Sequence, residues 1–180
     1  MKTYAISDVL EGKDVKRIRN ELGLTQAELA ALMNTTQKTI ERWEGSAHSI
    51  KGPVVTLIKI LTENMEIERQ LRIPEKKMPM RLWYMFQNEI CAVIDVDEQN
   101  RNVNVHNYTK DFLKRPFGRK EFPDFEEYET FLESRCFPRS RDKMKLMLRK
   151  LDLPFYEPLM IIEKTDGRMA EDNFWIKIER

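Results

Sequence analysis

Four side chains within one short stretch, Gln37, Lys38, Glu41 and Arg42, can form hydrogen bonds and ion pairs with an outside partner. The Gln37 amide presents a paired donor and acceptor, and Lys38 and Arg42 present cationic donors. At the helical period these four share one face, opposite Ile40 and Trp43. Outside any motif, such a face is most simply a solvated one. The C-terminal half offers no competing catalytic set: it has no Gly-rich phosphate loop, no Cys/His cluster and no nucleophile elbow. Glu75-x-Lys77 has the spacing of a nuclease pair but sits between prolines with no strand before it. Asp95 and Asp97 suit a strand end and turn better than a metal, and His106 has no sequence-adjacent partner. The expectation is a binding protein, not an enzyme, with no cofactor and no metal.

The elements that would hold the polar face are legible around it. A first helix is predicted from Asp14 to Leu22, with Val15, Ile18 and Leu22 on one side and Gly23 to end it. Thr25-Gln26-Ala27-Glu28 is a capping box opening a second helix, whose apolar stripe is Leu29, Leu32 and Met33. Asn34 tolerates the left-handed backbone of a sharp turn. Thr36 caps a third helix from Gln37 to about Glu44, and Gly45 stops it. A fourth helix begins at Pro53, and its stripe of Val54, Leu57, Ile58, Leu61 and Met65 predicts continuation to about Leu71. That extension fits equally well as core or as a surface packing on a second copy.

Residues 14 to about 61 resemble the Xre/Cro/phage-repressor helix-turn-helix family. The residues carrying the resemblance are Arg19, Leu22 to Ala30, Asn34, Thr36 to Ile40, Trp43 and Glu44. Asn34 stands where the family usually has glycine. The resemblance implies that the third helix enters the major groove of double-stranded operator DNA, with Thr36, Gln37, Lys38, Thr39 and Arg42 at or near base edges. It implies phosphate contacts for Thr25 and Gln26 at the second helix N-terminus, with Lys51 as a further partner. It also implies a structural pairing of Arg19 with Glu44. A reading helix this short implies a homodimer on two half-sites. The stretch Thr39 to Gly45, followed by Gly52-Pro53, is similar to HigA-like and MqsA-like antitoxins, which implies a repressor of its own operon with a toxin-like protein partner.

Arg72 to Pro79 is charged and bracketed by prolines, so the predicted organisation is a domain over 1–72, a linker over 73–79 and a second domain over 80–180. Beyond the linker the period changes. Ile90–Val96 and Val103–Tyr108 alternate as strands around a turn at Asp97–Asn100, predicting an antiparallel hairpin. Helices are predicted over Asp124–Arg135 and Ser140–Leu151, and a last strand over Phe174–Ile178. Tyr156–Glu163 fits either state. The fold class is α+β overall, with four to five helices in an all-α N-terminal domain followed by a small α+β domain. The run from Phe131 to Ile176 resembles a segment accompanying HipA-type kinase genes and phage-like loci, and no activity travels with it. Its Arg135, Arg139, Arg141 and Arg168 either bind an anion or a partner's carboxylates, or pair with acids such as Asp172.

Composition bounds the rest. Net charge is +1, and residues 1–72 hold eleven Lys/Arg against ten Asp/Glu, so any basic surface must arise from arrangement. Cys91 and Cys136 lack metal-ligand spacing and read as reduced thiols. No apolar run is long enough to span a bilayer, and Met1-Lys2-Thr3-Tyr4 lacks a signal's apolar core, so the expectation is a cytoplasmic protein without a membrane partner. The competing expectation is a phage-type repressor or ligand sensor whose second domain dimerises or binds a small molecule.

Overall fold

Helix signals in the first third of the chain are local, and they build the elements they predict. The structure, a computed structural model, describes residues 4–140 and 142–180, leaving Met1–Thr3 and the candidate Arg141 outside the described residues. The chain divides into two compact units, Met1–Arg72 and Ile73–Arg180.

In the first unit α1 is Gly12–Glu21, α2 Gln26–Leu32, α3 Gln37–Glu44, α4 Pro53–Glu63 and α5 Glu66–Leu71. Val15, Ile18, Leu29, Ile40 and Ile58 meet in its core, each at most 3% exposed. Trp43 is half-buried and packs at the margin of that cluster. Asn34 takes the left-handed backbone (φ 50°) between α2 and α3. Gly12 is fixed by a close approach, because a Cβ there would run into the carbonyl oxygens of Trp43 and Glu44 at the end of α3. The continuous helix predicted from Pro53 to Leu71 is instead two. Asn64 ends α4, its side-chain amide donating to the Ile60 carbonyl at 3.0 Å while its own backbone leaves the helix (φ −137°, ψ 61°). A side chain that bonds back to the last carbonyls competes with helix continuation. Met65 and Leu71 are consequently exposed, at 42% and 55%, and are not core.

The second unit is an antiparallel sheet in the order β3-β2-β1-β4, with strands Met80–Phe86 (β1), Glu89–Asp97 (β2), Asn102–Asn107 (β3) and Phe174–Glu179 (β4). Helices α6 (Phe125–Ser134), α7 (Met144–Lys150) and α8 (Pro158–Thr165) complete it, with a 3-10 turn at Phe112–Lys114. One face of the sheet, carrying Leu82, Tyr84, Ala92, Ile94 and Ile176, shares a core with Tyr128 and Phe131 of α6 and Ile162 of α8. The predicted hairpin is β2–β3, and the Asp97 carboxylate fixes its turn by accepting from the Asn100 backbone and side-chain amides at 3.0 and 2.8 Å. Strand β1 lacked a sequence signal, because Met80-Arg81-Leu82-Trp83-Tyr84-Met85-Phe86 has almost no polar alternation. The helix predicted over Ser140–Leu151 begins only at Met144, and the ambiguous Tyr156–Glu163 resolves into α8. Among the described residues no helix is long and apolar enough to cross a membrane.

Candidate nucleic-acid interface

Helix α3 is short and must be held from both ends. At its start the Thr36 hydroxyl accepts the Thr39 backbone N–H at 3.2 Å, and the two threonine hydroxyls lie 2.9 Å apart. Such a cap satisfies one of the amides that a helix leaves unpaired at its N-terminus. At its end Glu44 is gripped from two other helices. Arg19 of α1 donates through Nε and Nη2 at 2.6 and 3.2 Å, and Gln26 of α2 donates its side-chain amide at 2.9 Å. Arg19 also donates to the Leu24 carbonyl at 3.0 Å, which locks the α1–α2 turn into the same cluster. Burial pushes the Glu44 carboxyl up, but the hydrogen bonds from Arg19 and Gln26 outweigh it and leave its pKa below the ordinary range.

With Ile40 sealed inward, the opposite face of α3 is exposed as two parallel stripes. In one, Gln37 donates its amide to Glu41 at 2.9 Å, so these side chains hold each other one turn apart. In the other, Lys38 and Arg42 are exposed and carry no ion pair among the described residues. Thr39 is half-buried and turned toward Thr36.

The remaining candidates sit on neighbouring elements. Thr25 caps α2: its hydroxyl accepts the Glu28 N–H at 3.2 Å, and the Glu28 carboxylate accepts the Thr25 N–H at 2.7 Å. Hydrogen bonds from the Thr25 backbone and hydroxyl hold the Glu28 carboxyl below its ordinary range. Gln26 is only partly exposed and is tied through its amide nitrogen to Glu44, so it joins α2 to α3. Lys51 is exposed beside Ile50, whose backbone bridges to Leu10. The structural role of the Arg19–Glu44 pair was legible from the resemblance. The part played by Gln26 in the same cluster was not, because a glutamine side chain carries no sequence mark of its partner.

Residues 15–48 match the family model described as Helix-turn-helix. This stretch is a helix-turn-helix domain of the Xre type, the DNA-binding part of a transcription regulator. The chain is also similar to Antitoxin HigA-2 of Vibrio cholerae serotype O1, with 27% identity over 70 residues, covering 37% of this chain and 67% of that protein. No solved structure matches the chain.

The candidates raised for the second unit are placed elsewhere. Asp95 is buried and receives two hydrogen bonds from Arg81 at 2.6 and 2.7 Å, a cross-strand pair between β1 and β2. His106 is half-buried with its ring 4.7 Å from that of Tyr108. Arg135 is buried and donates to the Gly167 carbonyl and to both oxygens of Asp172, the shortest bond being 2.6 Å. Arg139 pairs with Glu133 at 2.7 Å, and Arg168 approaches Asp166 at 3.6 Å.

Proposed function

We propose that this chain is a sequence-specific transcriptional repressor of the antitoxin type. In this reading it acts in the cytoplasm as a homodimer on operator DNA, and its second unit binds a toxin-like protein partner. The observation that carries it is the face of α3, where exposed Lys38 and Arg42 stand one turn apart without acidic partners beside the Gln37 amide. Lysine and arginine suit the acceptors of guanine and glutamine those of adenine, so this face has the groups for base readout. Thr36 and Thr39 flank it, and Thr25, Gln26 and Lys51 are assigned to the phosphate backbone. Dimerisation is assigned to the first unit, where exposed Met65 and Leu71 leave apolar surface for a second copy. Similarity to an antitoxin supports the partner-binding role.

The test is binding to a duplex selected from random sequence, measured across salt concentrations. Affinity should fall steeply as salt rises, because each neutralised phosphate releases a counterion, and footprints should show two half-sites about 34 Å apart. A salt-independent affinity would overturn the reading.

A further inference from the structure

A second site of opposite charge lies within the second unit. The β2–β3 turn, helix α6 and the start of α8 line a half-open cavity of about 460 Å³. Its wall carries Glu98 from the turn, Glu126, Glu129 and Glu133 from α6, and Glu157 preceding α8, against the single cation Arg139. Only part of this charge is answered internally. Glu129 pairs with Arg101 at 3.3 Å and Glu133 with Arg139 at 2.7 Å. Glu98, Glu126 and Glu157 have no ion pair among the described residues. Glu157 also leaves the α8 N-terminus without a side-chain cap.

The floor of the cavity carries the independent sign of a ligand. Tyr128 lines it, is 1% exposed, and its hydroxyl has no hydrogen-bond partner. Buried hydroxyls are almost always paired, so the Tyr128 hydroxyl is a group with hydrogen-bonding capacity to offer an incoming donor or acceptor. The charges acting most strongly on that hydroxyl, after its burial, are the carboxylates of Glu98, Glu129 and Glu157. Glu98 is itself held above the ordinary carboxyl range by burial and by Glu157, Glu163 and Glu129, opposed only by Arg180. Acids crowded together in this way gain when a cation enters.

We infer that this cavity is the seat for an arginine or lysine side chain presented by a protein partner, held by the Glu98 and Glu157 carboxylates with the Tyr128 hydroxyl accepting a further N–H. A bare metal fits poorly, since among the described residues no three His, Cys, Asp or Glu groups stand close enough to hold one. A guanidinium offers five donors in one plane and so matches several acceptors spread around a wall. The volume is in the range of clefts that take small organic groups.

The inference rests on the partner-binding reading above, and the two fail separately. In an NMR titration of the full chain with acetyl-Gly-Arg-Gly-amide, saturable shifts should concentrate at Glu98, Tyr128 and Glu157. The citrulline peptide, its uncharged counterpart, should bind about tenfold more weakly. Glu98→Gln combined with Glu157→Gln should weaken the arginine peptide about tenfold while leaving the melting temperature unchanged or higher, because like charges are removed. Tyr128→Phe should weaken it about threefold. Absence of saturation, equal binding of the citrulline peptide, or unchanged affinity in either variant would overturn the seat. Spermidine binding as tightly as the peptide would reassign it to free polyamines. Co-expression with the product of the adjacent gene separates the readings. A complex that forms equally with the double variant keeps the partner and removes this seat; peptide binding without a complex removes the partner and keeps the cavity's chemistry.

Discussion

Lys38 and Arg42 on α3 and Arg135 in the second unit have opposite fates. On α3, Lys38 and Arg42 stand exposed without acidic partners among the described residues, whereas Arg135 in the second unit is 7% exposed and surrounded by acceptors. Both sets look alike as sequence, each being cations at short spacing near aromatic residues. The difference lies in what the fold brings within reach. Arg135 closes onto Asp172 and Gly167, more than thirty positions along the chain, and its hydrogen bonds hold the Asp172 carboxyl below its ordinary range. The first unit uses Arg19 in the same structural way, on Glu44, while Lys38 and Arg42 remain exposed on α3. A cation is therefore a candidate for recognition only after the acids near it in space have been counted.

That contrast can be broken most sharply at Arg135. Arg135 is buried, and removing it leaves the Gly167 carbonyl without its buried donor, so Arg135→Ala should destabilise the second unit by about 1–3 kcal/mol in urea unfolding. Arg139→Ala, which removes a surface pair, should change it by less than about 1 kcal/mol. Equal losses would mean that Arg135 is not the structural cation of that segment. On α3 the effect should move from stability to binding. Lys38→Ala with Arg42→Ala should cost about 1–3 kcal/mol of operator affinity for each good contact removed, with the melting temperature nearly unchanged. Unfolding of the double variant would show instead that these side chains pack.

A smaller effect is expected in acid. The Glu44 carboxyl has a lowered folded pKa, so its contribution to stability is present above its ordinary value of 4.5 and disappears as pH falls through the folded value. Thermal melts from neutral pH downward should therefore show the first unit losing stability below about pH 4.5, and Glu44→Gln should be less stable at neutral pH with a shallower acid slope. A parallel pair of curves would remove Glu44 as the acid-sensitive clasp. The smallest change is at the cap of α3, where Thr36→Ala should cost about 1 kcal/mol in thermal melts and Thr36→Ser almost nothing. Equal losses from both would mean that the methyl group, not the hydroxyl, is what matters there.

Much of the first unit was legible because its signals are short-range. The Thr25–Glu28 capping box, the Thr36 cap and the left-handed Asn34 act within four residues of themselves, and each appears where expected. The α4 break was harder to see, since the apolar stripe continues through Met65 while a single Asn64 side chain ends the helix. In the second unit the hairpin and the last strand announced themselves by alternation. Strand β1 did not, because Arg81 is buried against Asp95 and its neighbours are apolar on both faces.

Residue types and their order were enough to specify the first three helices, the turn between the second and third, and the α+β character of the C-terminal unit. These rest on backbone preferences, caps and periodicity, all of which operate over a few residues. Packing in three dimensions was needed to establish that Gln26 braces Glu44, that Arg135 serves the fold, and that five glutamates line one cleft together with a tyrosine whose hydroxyl has no partner. Those outcomes depend on distances between residues far apart in the chain, which side-chain type and spacing do not encode.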